Sequence, residues 1–433
     1  MFGYYLRMAL HSFGRNRLLT LLMVMAIALG IGACMSTVTI LYILSKDPIP
    51  TKSSTLFYPQ LDAAGMTGYV PGSPPHGQLT RHDAEALLRH EGGRHKALMT
   101  SGMVAVKPDN DRLVPSFQEA RYTTSDFFAL FDIAFLEGGP WSQEQDEERA
   151  RIAVISKELS DRIFGGGGGL GKTVTVNDTS FRIIGVIEHW RPVPQFYDMY
   201  VRDLSHQDHI FIPFHTAMSL QLPRMGTTYC WGSDVEDPTE PNAPCAWIQF
   251  WVQLDTRDEV ESYRAYLMNY SQQQREAGRF ARPVNIRLRD VNEWLEFNQV
   301  IPKDVWLQAW VAAGFLLVCL INTAGLLLAK FLRRSPEIGL RRALGASRKS
   351  IFVQHLTEAA TIGLAGSIPG LALAAFGLWV IRQLPGDHVQ VAHLDPVMTA
   401  VTVAFALTAS VLAGLLPAWW ASRARPAIQL KSP

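Results

Sequence analysis

A glycine-rich stretch at 164–176, FGGGGGLGKTVTV, has residue types and spacing that could bind phosphate. Gly166, Gly171, Lys172 and Thr173 satisfy the pattern G-x-x-x-x-G-K-[ST], in which backbone amides and a lysine surround phosphate groups. Such a loop follows a strand and opens a helix, so that the helix N-terminus faces the anion. Here a predicted helix precedes the glycines and the strand-forming TVTV follows them. The reversed order favours a turn between a helix and a hairpin, and we expect no nucleotide there.

Histidines supply two further candidates for chemistry. The stretch HEGGRH at 90–95 is one residue longer than the zinc-protease pattern H-E-x-x-H, and its two glycines disfavour the helix which that pattern needs. His206 and His209 have no evident partner cluster. We therefore expect no metal site, no bound cofactor and no catalytic site in this chain.

Four long stretches without charged residues predict membrane helices. The chain has 433 residues, of which 48% are apolar and 18% charged. The charge-free stretches are residues 18–45, 305–329, 359–381 and 396–422. Each exceeds the roughly 20 residues that span a bilayer. The first is about twice the length of a signal-peptide core and stays apolar beyond Cys34, which argues against a signal peptide and a lipoprotein anchor. The net charge of +1 gives no basic excess for a nucleic-acid partner.

Basic residues beside these stretches predict their orientation. Residues 1–17 contain three arginines and no acid, and the loop 330–358 is rich in lysine and arginine, as is the tail 423–433. By the positive-inside rule these three segments are cytoplasmic. Residues 46–304 and the short loop 382–395 then lie outside. The apolar spacing within 1–17 predicts an amphipathic helix on the inner membrane surface.

The large external segment 46–304 predicts a mixed α+β domain. Thr80 and Ser156 are candidate helix N-caps, and Thr256 with Glu259 forms a candidate capping box. Asn177-Asp178 separates two strand-like runs, which predicts a hairpin.

Cysteines in this segment predict a disulfide. Cys230 and Cys245 border a polar loop that would lie in an oxidising compartment, and a loop of this size contributes about 3 kcal/mol when closed. Cys34 and Cys319 fall within predicted spans and are expected to be small apolar residues.

Two segments carry a family resemblance: SPEIGLRRALGASRKSIFVQHLTEA at 335–359 and GLLPAWWASRARPAIQLK at 414–431. They resemble the permease domain of the FtsX/MacB family of ABC transporters. The external stretches TTSDFFALFDIAFLEGGPW and ARIAVISKELSDRIFGG are similar to the MacB-type periplasmic domain. The family's box matches in full at Glu337, Ile338, Gly339, Leu340, Arg341, Arg342, Ala343, Leu344, Gly345 and Ala346.

The resemblance implies an α-helical membrane protein of the bacterial inner membrane. Four transmembrane helices would carry an α+β MacB-type periplasmic domain between the first and second helices. In this family two permeases, identical or homologous, pair with two ATPase subunits that bind ATP and Mg²⁺. Because about 17 residues precede the first span, we expect the ATPase on a separate chain.

The matching box is the expected ATPase-coupling site. Pro336 suits the first turn of a helix, and Arg341-Arg342 followed by Gly345 predicts a short cationic helix at the membrane surface. That helix would seat in a groove of the ATPase and receive its motion.

Two functions follow from the resemblance. One is export of a peptide, drug or lipid-like molecule, with a periplasmic adaptor and an outer-membrane channel. The other is FtsX-like mechanotransmission that regulates a periplasmic partner such as a cell-wall hydrolase. The size of the external segment favours export, and a lone external enzyme is a third alternative.

Overall fold

A computed structural model describes residues 8, 13, 17–108, 114–201, 207–232, 235–301, 303–383 and 396–423. Most of the predicted N-terminal surface helix, residues 384–395 of the predicted short loop and residues 424–433 of the predicted tail lie outside these residues. The chain divides into two compact units. A helical unit contains residues 1–45 and 301–433, and an external unit contains residues 46–300.

Twelve helices and twelve strands are formed by the described residues. The helices are α1 (Arg17–Leu44), α2 (Arg81–Arg89), α3 (Phe127–Leu130), α4 (Gln143–Glu147), α5 (Lys157–Phe164), α6 (Phe214–Ser219), α7 (Arg257–Glu276), α8 (Val291–Phe297), α9 (Lys303–Arg333), α10 (Ser335–Ala343), α11 (Arg348–Gln383) and α12 (Pro396–Ser422). The strands are β1 (Leu56–Leu61), β2 (Leu79–Thr80), β3 (Lys96–Pro108), β4 (Ser116–Thr123), β5 (Phe135–Gly138), β6 (Ile152–Ser156), β7 (Thr173–Val176), β8 (Thr179–Ile187), β9 (Ile210–Pro213), β10 (Tyr229–Cys230), β11 (Cys245–Gln253) and β12 (Ile286–Asp290).

The helical unit is built on α1, α9, α11 and α12, which are long and apolar enough to cross a membrane. Their surfaces are rich in exposed apolar side chains. Tryptophans concentrate near helix ends, as in the aromatic belts of membrane proteins: Trp306, Trp310, Trp379, Trp419 and Trp420. These features fit a multi-pass membrane protein.

Glycines allow these helices to approach closely. A Cβ at Gly32 of α1 would lie 2.8 Å from the Leu373 Cβ of α11, and one at Gly414 of α12 would lie 2.4 Å from the Ala359 Cβ. Small residues at such crossings are typical of membrane helix packing, where van der Waals contact replaces the hydrophobic effect.

Helical structure continues past two of the predicted spans. The charge-free stretches predict a second span that ends at residue 329, a third that begins at residue 359 and a loop between them. In the structure α9 runs to Arg333 and α11 begins at Arg348. The predicted loop 330–358 is thus largely helical, and its ends belong to the long helices.

The external unit is organised around one twisted, mixed sheet. Its main strand order is β12-β1-β11-β3-β4-β9-β6-β8-β5. Strand β7 pairs with both β3 and β8, so that β3, β4, β9, β6, β8 and β7 form a closed ring of pairings. Because side chains alternate between faces along a strand, Leu98 and Phe250 enter one apolar core, whereas Ala97 and Trp251 enter another.

Local sequence signals in this unit are confirmed. Thr80 and Ser156 accept hydrogen bonds from backbone amides at the starts of α2 and α5, and Thr256 with Glu259 forms the capping box of α7. Asn177-Asp178 turns the β7–β8 hairpin, in which Val176 faces Thr179. The α+β fold class is therefore as expected.

Cys230 and Cys245 form a disulfide in the structure. They face one another on the antiparallel strands β10 and β11. Cys34 and Cys319 are buried free thiols of the helical unit.

Candidate functional site

The family box at 337–346 forms most of α10 and the turn that follows it. Pro336 lies in the first turn of α10, where its missing N–H costs no hydrogen bond. Gly345 has a φ of 101°, a backbone conformation that favours glycine, and it turns the chain toward α11. The helix has nine residues, a length that is marginal for an isolated helix in water. Its conformation therefore depends on what it packs against.

The inward face of α10 is fixed to α11. Ile338 is 6% exposed and belongs to the same apolar cluster as Phe331 and Ile351. The Arg341 guanidinium donates from Nη1 to Gln354 Oε1 at 3.1 Å, and from Nη2 to Glu337 Oε1 at 2.9 Å. Arg341 thus joins α10 to α11, an intramolecular contact that the sequence did not predict.

The outward face of α10 is apolar. Leu340 is 55% exposed and Leu344, one turn later, is 80% exposed. Pro336 and Ala343 are also exposed, and the spacing of these residues places them on one side of the helix. Both leucines belong to the ten residues predicted to couple to an ATPase, although the sequence interpretation emphasised the cations Arg341 and Arg342. The spacing of Leu340 and Leu344 was the signal available for this face.

Buried charges link the helices that flank α10. Lys330 of α9 lies 2.7 Å from Glu358 of α11, measured from Nζ to Oε1, and both side chains are almost fully buried. Arg334 Nη1 lies 3.6 Å from the same Glu358 oxygen, and His355 Nδ1 lies 3.7 Å from Oε2. We call these four residues the charge cluster. The sequence did not predict the charge cluster, because Lys330 and Glu358 fall within the predicted loop 330–358.

The glycine-rich stretch lies between α5 and β7, as the sequence order predicts. Gly165 ends α5 in the left-handed region. The Lys172 ammonium donates to the Gly167 carbonyl at 3.1 Å and lies 4.5 Å from the centre of the Phe164 ring. A strand rather than a helix follows the loop, so it lacks the helix N-terminus of a phosphate site.

The histidine motifs are spread among unrelated contacts. His90 stacks on Tyr266 with ring centroids 3.5 Å apart, and His95 Nδ1 lies 3.4 Å from Asp126. His209 Nδ1 lies 3.0 Å from the Ser156 hydroxyl, and His206 falls outside the described residues. Within the described ranges, no group of three or more metal-binding side chains comes together.

Comparisons with known proteins cover both units. Residues 20–270 match the MacB-like periplasmic core domain, and residues 310–426 match the FtsX-like permease C-terminal region. The chain is 26% identical over 315 residues to the macrolide export ATP-binding/permease protein MacB of Bdellovibrio bacteriovorus, covering 72% of this chain and 42% of that relative. It thus spans less than half of that relative's length.

A permease and a solved structure are similar as well. The uncharacterized ABC transporter permease YvrN of Bacillus subtilis is 25% identical over 320 residues, covering 73% of this chain and 70% of YvrN. The periplasmic region of MacB from Actinobacillus actinomycetemcomitans covers 58% of this chain and 94% of its own, with 14% identity and a TM-score of 0.36. The family matches span more than half of the sequence and both of its units, and the chain therefore belongs to the MacB/FtsX family of ABC transporter permeases.

Proposed function

We propose that this chain is the permease subunit of a MacB-like exporter, in which α10 receives the motion of an ABC-type ATPase. The observation that carries the proposal is the two-sided character of α10. Its outward face presents Leu340 and Leu344, and its inward face is fixed through Ile338 and Arg341. A helix bound on one side by a partner and on the other by α11 can transmit displacement between them.

The exposed apolar side chains of this short helix support the proposal that α10 binds another protein. Leu344 is among the most exposed large apolar side chains of the described residues, and it lies outside the four long helices that would contact lipid. Exposed aliphatic side chains that project from a short, firmly held helix suit a groove in another protein. ATP and Mg²⁺ would bind to that ATPase. The engagement of Lys172 by Gly167 and Phe164 is consistent with this division of roles.

The motion would reach the external unit through α1 and α9. Each is covalently continuous with that unit, since α1 ends at Leu44 and α9 begins at Lys303. We propose that α10 and both chain termini are cytoplasmic, that the membrane is the bacterial inner membrane, and that residues 46–300 work in the periplasm. A second permease, identical or homologous, would complete the transporter.

The MacB relatives, described as macrolide export proteins, support export over signalling. We propose a peptide, drug or lipid-like substrate that is expelled with the help of a periplasmic adaptor and an outer-membrane channel. An FtsX-like mechanotransmitter would use α10 in the same way but would alter the activity of a periplasmic partner instead of compound efflux. Deleting the chain and measuring both efflux and cell-wall hydrolysis distinguishes the two functions.

The docking proposal is tested by Leu344→Glu. A carboxylate at this position would have to be desolvated in an apolar groove, and we expect the ATPase to be lost from the purified complex. Met268→Glu is the matched control, because Met268 is 51% exposed on α7 of the external unit. Unchanged ATPase association in Leu344→Glu would remove the docking assignment.

A further inference from the structure

We infer that Glu358 is a positioning residue that locks α9 to α11, so that displacement of α10 moves both helices together. This inference rests on the proposed function, in which α10 is the point where ATPase motion enters. Glu358 binds no nucleotide or substrate in this scheme. It acts through Lys330, Arg334 and His355.

The spacing of the charged residues along α9 and α11 brings the charge cluster together at one point. Lys330 and Arg334 are four residues apart, at the end of α9 and just beyond it. His355 and Glu358 are three residues apart on α11. Residues three or four apart share a helix face, so the cations of one helix meet the carboxylate of the other. The His355 ring also packs on Phe331, with centroids 4.0 Å apart.

Burial makes this contact resistant to separation. The Lys330 side chain is 0% exposed and the Glu358 side chain is 3% exposed. A buried ion pair adds little net stability compared with an apolar pair, but separating its partners leaves an uncompensated charge in a low-dielectric environment. Moving Lys330 of α9 away from Glu358 of α11 therefore carries a large penalty. The cluster favours movement of the two helices as one body.

The lock lies next to the place where α10 is attached. Arg341 of α10 bonds to Gln354, which directly precedes His355 and lies one turn before Glu358 on α11. A displacement of α10 enters α11 at Gln354 and passes through Glu358 to Lys330 of α9. From Lys330, α9 runs as a continuous helix back to Lys303, close to residue 301, where the chain enters the helical unit again. Without the lock, α11 would move while α9 lagged behind.

The experiment uses the full chain with its ATPase, reconstituted in lipid nanodiscs. Two quantities are measured for each variant: ATPase association and hydrolysis rate, and the ATP-dependent change in hydrogen exchange of residues 303–333 and 46–300. The variants are Glu358→Gln, Glu358→Asp, which keeps the carboxylate, and Glu261→Gln. The last is the control, because the Glu261 side chain is 73% exposed on α7.

We expect Glu358→Gln to retain ATPase binding and hydrolysis within about twofold while the ATP-dependent exchange change falls about five- to tenfold, a size typical of residues that modulate coupling. Glu358→Asp should retain most of the response, and Glu261→Gln should resemble the unmodified chain. A purely structural role would lower binding, hydrolysis and exchange response together.

Three results would overturn the inference. They are a full hydrogen-exchange response in Glu358→Gln, loss of ATPase binding in that variant, and a response in Glu358→Asp no larger than that in Glu358→Gln when ATPase still binds. Failure of the proposed function looks different, because the unmodified chain would then show no ATP-dependent exchange change and Leu344→Glu would bind ATPase normally.

Discussion

Replacement of Arg121 by methionine is predicted to destabilise the external unit strongly. Arg121 lies on β4, and its side chain is fully buried between two carboxylates. Its Nε donates to Asp208 Oδ2 at 3.0 Å, and its Nη1 donates to Asp198. Burial alone would lower the pKa of Arg121, but Asp208 and Asp198 more than offset it, and the pKa is raised. The guanidinium is therefore charged at every pH at which the fold is studied.

The magnitude follows from what the substitution leaves behind. The Arg121→Met side chain fills similar volume, but Asp198 and Asp208 remain buried without their cation. Ser101 donates to Asp198 and Tyr197 donates to Asp208, and these two hydroxyls cannot neutralise the charge. Removing one partner of a buried ion pair costs about 3–5 kcal/mol. We expect a loss of that size.

Urea unfolding of residues 46–300, followed by tryptophan fluorescence, measures this free energy. Arg162→Met is the control, since Arg162 is exposed and donates one hydrogen bond to Gln118, so its loss should cost less than about 1 kcal/mol. The triple change Arg121→Met, Asp198→Asn and Asp208→Asn removes the stranded charges and should recover most of the loss. A cost below about 1 kcal/mol for Arg121→Met alone would refute the reasoning.

Three further predictions concern the external unit. Burial lowers the pKa of His76 and of His209 in the folded chain, whereas the unfolded chain has the ordinary histidine pKa of about 6.5. Below that pH the unfolded chain binds more protons than the folded chain, so the free energy of unfolding should fall as the pH drops. Urea titrations of a variant with both His76→Gln and His209→Gln should show a flatter pH profile. Lys172→Ala should leave ATP hydrolysis by the purified complex unchanged, because the Lys172 ammonium donates to the Gly167 carbonyl and lies over the Phe164 ring; a loss like that of an ATPase-site mutant would contradict this. Reduction of the Cys230–Cys245 disulfide should cost about 3 kcal/mol in urea, and a change below about 1 kcal/mol would contradict the loop-closure argument.

Local signals in the sequence predicted local structure well. Caps such as Thr80 and Ser156 act within a single helical turn, so three or four consecutive residues carry the whole signal. The β7–β8 hairpin and the four apolar helices are equally local. The order of elements argued against a phosphate loop in the glycine-rich stretch, and the structure has that same order, with a helix before the glycines and a strand after them.

Contacts between distant residues were not predictable in this way. Arg121 and Asp208 are separated by 87 residues, and nothing near Arg121 in the sequence indicates that it is buried. Glu358 looked like a loop residue because the charge-free stretch begins after it, but α11 begins at Arg348 and Glu358 pairs with Lys330 of α9. Charged residues at the edge of an apolar run can lie inside a helix bundle when their partner lies on the neighbouring helix.

The sequence placed a helix at the family box but did not predict which side chains of α10 are exposed. The family box predicted ten coupling residues, and its arginines suggested a cationic surface. Arg341 instead donates hydrogen bonds to Gln354 and Glu337 of the same chain. Leu340 and Leu344 are the large apolar side chains that α10 exposes. Which side of a nine-residue helix is free depends on the helix that it packs against.

Site-specific photo-crosslinking from α10 tests the central claim most directly. A photoreactive phenylalanine analogue replaces Leu344 in the intact complex in cells, and the same analogue replaces Met268 on α7 as a control. Our account predicts that an ABC-type ATPase, identified by mass spectrometry, crosslinks at position 344 and is absent at position 268. Failure to crosslink the ATPase from position 344, in a complex that still contains it, would contradict the assignment of α10 as the coupling site.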